Sequence, residues 1–233
     1  MKKTDLYLIL FVLAITLPFA LNEQIYGYYT WANSSFPYLL AALKFAILAS
    51  LGEMIGLRIK SGNYTYEGFG LLPRAIYWGF YGAWIAMVMR AYSVGTPIMM
   101  EKLGFEGVAA AMSGGITPLK VVGAFGISVI MNTSLAPVFM TLHKITDSHI
   151  AAHHGSLRAL ITPIDMASAL QNVNWQVQWS FVFKRTIPLF WFPAHTITFL
   201  LPPSMQVLFA ALLSIVLGVL LSIAAVLAQK KQH

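Results

Sequence analysis

Metal-binding and proton-carrying side chains crowd one stretch of this chain, where His143, Asp147, His149, His153 and His154 follow one another closely. The pairs His143/Asp147 and His149/His153 are each spaced i, i+4, which on a helix stacks two side chains on one face. Histidine and aspartate are zinc ligands, and a zinc ion with an open position activates water for hydrolysis, here of a lipid-like substrate. At roughly 100° of turn per residue, the two pairs lie about 120° or more apart on a continuous helix, so all four converge only across a break. The other reading of the stretch is a solvated loop at the headgroups, because a histidine-rich composition alone does not specify a metal.

A second set of reactive groups lies inside apolar segments, where an ionisable side chain is costly unless it is paired or hydrated. Glu53 and Lys44 share one such segment, but nine residues of helix put them on opposite faces, so they do not pair. Glu53 lies near the end of its segment and Arg74 opens the next, so an antiparallel arrangement brings them to similar depth. The spacing therefore predicts an interhelical Glu53–Arg74 pair, serving either as a staple that sets the register of two helices or as a gate or proton-coupled site. Lys44 and Arg90 fall toward the other end, where their stems are expected to snorkel. Asn132, His195 and Thr198 are polar candidates for a pore. His195 is either a neutral, hydrogen-bonded ring or a pH-sensitive group.

The absence of cysteine removes disulfides, thiolate ligands and a cysteine nucleophile. No Ser-x-x-Lys, nucleophile elbow, P-loop or dinucleotide fingerprint occurs, and Gly114-Gly115 reads as a loop. The balance is against an enzyme, and no cofactor is expected.

The elements that must position these groups are set by composition. The chain is 58% hydrophobic and 10% charged, against about 25% charged in soluble domains, which reads as an all-α integral membrane protein forming one domain over 1–233. A span needs about 20 mostly apolar residues. Segments 6–21, 36–57, 74–95, 121–142, 186–201 and 204–228 give a bundle of five to six transmembrane helices. The first is short, but Pro18-Phe19-Ala20 is a poor signal-peptide cleavage site, so it reads as a retained anchor. Segment 186–201 carries Pro188 and Pro193 and is either a span or a broken helix held inside the bundle. Before it, Thr162-Pro163-Ile164-Asp165 reads as an N-cap, a first-turn proline and an acidic N3. That opens a helix through Val182, laid at the interface by Trp175 and Trp179.

The net charge of +7 is distributed at segment ends. Lys2, Lys3, Arg58, Lys60, Arg74, Lys144, Arg158, Lys184, Arg185, Lys230 and Lys231 all fall on one side when both termini are cytoplasmic, as the positive-inside rule requires. Lys102 and Lys120 fall on the other side, with Glu101 and Glu106 nearby. Nucleic acid is excluded as a partner, since no soluble surface is long enough to hold a basic groove; membrane lipid is the expected partner. Small residues recur every four positions at Ala210, Ser214, Gly218 and Ser222, and again at Ala42, Ala46 and Ser50. Such stripes let helix backbones approach, with a pore lining as the other reading; a homo-oligomer is a further expected partner.

Several motifs resemble those of one family. Trp191, Thr198-Phe199, Pro203 and Leu221-Ser222 fall in the register of W-P-x-x-Q-x-x-N-F-x-x-V-P followed by W-x-x-x-L-S. His195 replaces the glutamine, the proline has moved to Pro193, and Gly218 stands for the second tryptophan. Leu51-Gly52-Glu53-Met54-Ile55 is similar to an L-G-D-x-I/V run, Arg74 to an arginine opening the following helix, and Asn132-Thr133-Ser134-Leu135-Ala136-Pro137 to a Q-x-x-x-A-P segment. In order over residues 36–226, these resemble the Mpv-seventeen / peroxisomal-membrane-protein-twenty-two family. The resemblance implies pore-like passage of small solutes, the role associated with that family in mitochondrial inner and peroxisomal membranes. Segment 1–21 is additional to the family pattern and lacks the character of a mitochondrial transit peptide, so a bacterial cytoplasmic membrane is the expected location. The expected function is thus a small-solute channel, with a metal-dependent membrane hydrolase and a non-transporting scaffold as alternatives.

Overall fold

Apolar runs punctuated by proline, glycine and asparagine fold here into helices whose ends fall at those punctuating residues. The structure is a computed structural model that describes the backbone of residues 3–230, with side chains through Ile223 and at Val226; Lys2 and Lys231 lie outside the described residues. Helix α1 spans Lys3–Leu21, and α2, Glu23–Ser35, starts where the Asn22 Oδ1 accepts from the Gln24 and Ile25 N–H groups. Helix α3, Pro37–Ser61, has proline in its first turn and ends at Gly62, which takes a left-handed φ of 78°. There follow α4 (Leu71–Lys102), a single turn α5 (Val108–Ala111), α6 (Pro118–Ser134), α7 (Ala136–Ala152) and α8 (Arg158–Ile161). The chain finishes with α9 (Met166–Gln171), α10 (Trp175–Val177), a π-helix over Gln178–Trp191, α11 (Phe192–Leu200) and α12 (Pro203–Lys230). No strand occurs among the described residues.

Three boundaries differ from those read in the sequence. The segment at 74–95 is a longer helix, α4. The segment at 121–142 is part of two helices, α6 and α7, bent by 46°; the break falls at Leu135, just before Pro137, which has no N–H to continue the ladder. Thr162 closes α8 instead of opening a helix: it precedes Pro163, which drives it to extended backbone (φ −82°, ψ 125°). The cap is Asp165, whose carboxylate accepts from the Ser168 N–H and hydroxyl. Those hydrogen bonds hold the Asp165 carboxyl below its ordinary range. The cap therefore contributes above the ordinary carboxylate range and is lost as pH falls through the lowered value. The expected helix through Val182 is interrupted again before α10, where Asn174 Oδ1 accepts from the Val177 N–H.

Helices α1, α3 and Pro203–Ile223 of α12 are long and apolar enough to cross a membrane, and the bent α6–α7 pair makes a fourth if it is one span. That is fewer than the five to six read from the sequence. Helix α4 falls outside this group because Tyr77, Trp78, Tyr81, Trp84 and two glycines dilute its apolar stretch between Arg74 and Arg90. The segment 178–200 falls outside it because it is divided between a π-helix and α11.

Helix α3 is the central post. One face lays Ala41, Phe45 and Ala49 against Trp78, Tyr81 and Ile85 of α4. The other meets α12 at backbone distance: a Cβ built on Gly52 would sit 2.9 Å from Ile215 Cα, and one on Gly218 would sit 3.0 Å from Gly52 O. Ser222 follows one turn along against Gly56, and Ala210 is buried one turn before Ser214. The small residues of α12 thus serve as an intramolecular helix contact, and their partners on α3 are Gly52 and Gly56. Helix α6 packs on α4 and α11, and Ser128 ties it to the junction of the π-helix and α11 by donating to Phe192 O at 2.8 Å.

Two loops lock at Gly70 and Gly155, both at positive φ (70° and 68°), where a Cβ on Gly155 would lie 2.5 Å from Gly70 N. Gly155→Ala is expected to destabilise the fold by about 1–3 kcal/mol, from left-handed backbone strain plus the clash. Thermal unfolding in detergent measures this; an unchanged midpoint would contradict the lock. Helix α1 buries no residue and is tied down by Asp5, which accepts from Arg58 Nε at 2.9 Å, Arg58 Nη2 at 3.0 Å and Tyr64 OH at 2.9 Å. Asp5→Ala is expected to free Arg58 and speed tryptic cleavage after Arg58 and Lys60, with little change in the midpoint. An unchanged cleavage rate would contradict this tether.

Candidate functional site

Residues one helical turn apart share a face, and two such pairs converge on Glu53 where α3, α4 and α7 meet. Arg74 and Trp78 come from α4, His143 and Asp147 from α7, and Glu53 from α3. Arg74 Nη1 donates to Glu53 Oε2 at 2.9 Å and to Asp147 Oδ1 at 2.6 Å. Its Nε donates to Phe69 O at 2.8 Å, and its guanidinium lies over the Phe69 ring at 4.8 Å. Trp78 Nε1 donates to the second Glu53 oxygen, Oε1, at 2.7 Å. His143 Nε2 stands 3.7 Å from Glu53 Oε1 and 3.8 Å from Asp147 Oδ2, with its ring 4.5 Å from that of Trp78.

Arg74 is only 8% exposed, and a guanidinium so buried is tolerable only when paired. Two carboxyl groups, those of Glu53 and Asp147, meet this one guanidinium, with the His143 ring beside both. Asp147 is the member that was not read together with Glu53. The signal for it was present in its i+4 spacing from His143, which faces the same pair.

The zinc set of His143, Asp147, His149 and His153 does not assemble. Helix α7 is continuous through Ala152 and the break in the chain falls earlier, at Leu135, so the two pairs stay on different faces. His149 and His153 stack on each other with ring centres 4.4 Å apart, and His153 Nδ1 bonds His149 O at 2.9 Å. Ligand atoms of Glu53, His143 and Asp147 do lie within 4.8 Å of one another, but Arg74 already donates to both of those carboxylates.

Asn132 of α6 and His195 of α11 form a second polar group. Asn132 Nδ2 donates to Ser128 O at 2.8 Å, and its amide meets His195 Nδ1 at 2.9–3.0 Å. The His195 ring stacks on Trp191 at 4.9 Å. Trp191 is 9% exposed, and its Nε1 has no hydrogen-bond partner. Thr198 does not join this group: its hydroxyl is spent on Ala194 O at 2.9 Å within its own helix. Nor does Lys44 snorkel. It is 8% exposed, donates to Asn33 Oδ1 and lies over the Tyr29 ring, because α2 folds back over the start of α3. Arg90, by contrast, is exposed.

Between the two polar groups lies a cavity of about 250 Å³, bounded by Glu53 and His143 toward one end and by Asn132, His195 and Trp191 toward the other. A wider vestibule of about 1070 Å³ opens beyond it, reaching Asn33, Arg90, Lys120 and Gln206. Residue order along α3, α4, α6, α11 and α12 stacks the two cavities along the same helices. Met89, Met131 and Phe199, each 1–3% exposed, fill the layer between them. Lys120 is held at the vestibule wall, donating to Gly114 O at 2.7 Å.

The fold and site thus define an all-helical bundle with a cavity between its helices that carries polar groups toward both ends. The chain matches no family model, no curated protein and no solved structure.

Proposed function

We propose that this is a multi-pass membrane protein whose bundle lets small solutes pass between its helices, as the resemblance to the Mpv-seventeen / peroxisomal-membrane-protein-twenty-two family implies. The membrane reading is supported by α1, a 19-residue apolar helix with no buried residue, and by the apolar residues exposed along α3 and α12. Faces of that kind are stable against lipid and liable to aggregate in water. Six crossings by α1, α3, α4, α6–α7, the segment 178–200 and α12 would gather Arg58, Lys60, Lys144, Arg158, Lys184 and Arg185 on the side of both termini, the cytoplasmic side by the positive-inside rule, and a bacterial cytoplasmic membrane is the proposed location.

The observation that carries the passage reading is the pair of cavities stacked along the same helices and parted by one apolar layer. In this reading Met89, Met131 and Phe199 form the gate, and Glu53 and His195 are the polar groups a solute meets behind it.

A chain without cysteine allows a direct test with a single introduced thiol. Ser214→Cys, which lines the inner cavity, is expected to react slowly with a small thiol reagent added from the vestibule side, and roughly tenfold faster when Phe199→Ala thins the layer by a phenyl group. Equal rates in both backgrounds would overturn the gate.

A further inference from the structure

The inner cavity has a chemical character of its own. Its wall carries the rings of Phe45, Trp78, Phe139 and Trp191, and no lysine or arginine lines it. Glu53 is the one carboxylate in the lining, and it belongs to a cluster in which two carboxylates share a single guanidinium. At the other end, the His195 ring stacks on that of Trp191, and the Asn132 amide meets His195 Nδ1.

We propose that this cavity binds a small organic cation, a protonated or quaternary amine. The assignment rests on the same cavity as the passage reading and names its solute class. Aromatic faces attract an ammonium group through their quadrupoles, and they do so most strongly when it is desolvated. With Glu53 in the wall and no lysine or arginine there, that end favours a cation over an anion. At about 250 Å³ the space lies below the roughly 300–1,000 Å³ of drug-sized pockets, which limits the occupant to a small amine or to the headgroup of a lipid.

The test uses the purified full chain in detergent, titrated with choline, with tetramethylammonium and with 3,3-dimethylbutanol, the neutral carbon isostere of choline. Tryptophan fluorescence and calorimetry follow binding. Choline is expected to bind saturably, and the neutral isostere roughly tenfold or more weaker, the factor expected of a desolvated cation–π site. Glu53→Gln is expected to weaken choline by a similar factor. Phe139→Leu, which touches none of the hydrogen bonds of Glu53, is expected to weaken both cations.

Equal affinity for the neutral isostere, or no saturable binding of either cation, overturns the proposal. A short-chain choline phospholipid that competes more strongly than choline assigns the site to a lipid headgroup; weaker competition assigns it to the free amine. Cation binding without solute release from vesicles would remove the passage reading and leave this site standing, whereas release without cation binding would do the reverse.

Discussion

Arg74→Met is expected to lower the unfolding midpoint of the purified protein by on the order of 10 °C, the largest effect of any substitution in the polar cluster. The guanidinium is 8% exposed and donates from one nitrogen to both Glu53 and Asp147. Removing it leaves the two carboxyl groups without their guanidinium, with the His143 ring 3.7 Å from Glu53 and 3.8 Å from Asp147. Breaking a buried ion pair from one side costs about 3–5 kcal/mol, and each kcal/mol moves the midpoint of a chain of this size by roughly 2–4 °C.

Glu53→Gln should cost much less, because Trp78 still finds an acceptor and Arg74 keeps Asp147. The triple replacement Glu53→Met, Arg74→Met, Asp147→Leu should recover most of the loss, since apolar side chains of similar volume often replace a buried ionic cluster at no cost. A midpoint in Arg74→Met within a degree or two of wild type would mean that the cluster is hydrated and contributes little.

The second large effect is expected at the contact of α3 with α12. At Gly52 an added Cβ meets Ile215 Cα at 2.9 Å, Ile215 N at 3.2 Å and Ser214 O at 3.2 Å. All three are backbone atoms, so no side-chain rotation relieves the contact and one helix must move. Gly52→Ala should cost about 1–3 kcal/mol, and Gly52→Leu should undock α12 from α3. Gly95 supplies the control: it lies in α4 with nothing within 4 Å of an added Cβ, so Gly95→Ala should be neutral or stabilising by up to about 1 kcal/mol. Thermal midpoints and protease resistance of α12 measure all three. Equal behaviour of Gly52→Ala and Gly95→Ala would contradict the close approach.

The helices, and the meeting of Glu53 with Arg74, could be read from the chain because both follow from local rules. Apolar runs of sufficient length form helices, and a charge within such a run has few places to find a partner. Small residues in α12 announced a contact, but its partner face did not stand out. Gly52 and Gly56 lie on the same helix as the Ala42, Ala46, Ser50 stripe, and only the assembled bundle shows which of them faces α12.

Other features depend on distant parts of the chain. Asp147 joins Arg74 across 73 positions. Lys44 is buried because α2 folds back to bring Asn33 and Tyr29 over it, which no rule about snorkelling stems anticipates. The bend at Leu135 determines where the histidine-rich stretch lies relative to the break, and so separates the two pairs that a zinc site would have required. Thr162 and Asp165 competed to cap one helix, and the conformational restriction imposed by Pro163 decided between them.

Solute release from proteoliposomes containing the purified chain, across a series of solute sizes, tests the passage reading most directly. The expected result is release above that of protein-free vesicles with a sharp size limit, faster in Phe199→Ala and altered in Glu53→Gln and His195→Ala. Release no greater than that of protein-free vesicles, in the wild type and in Phe199→Ala alike, would contradict passage and leave a non-transporting membrane scaffold as the reading.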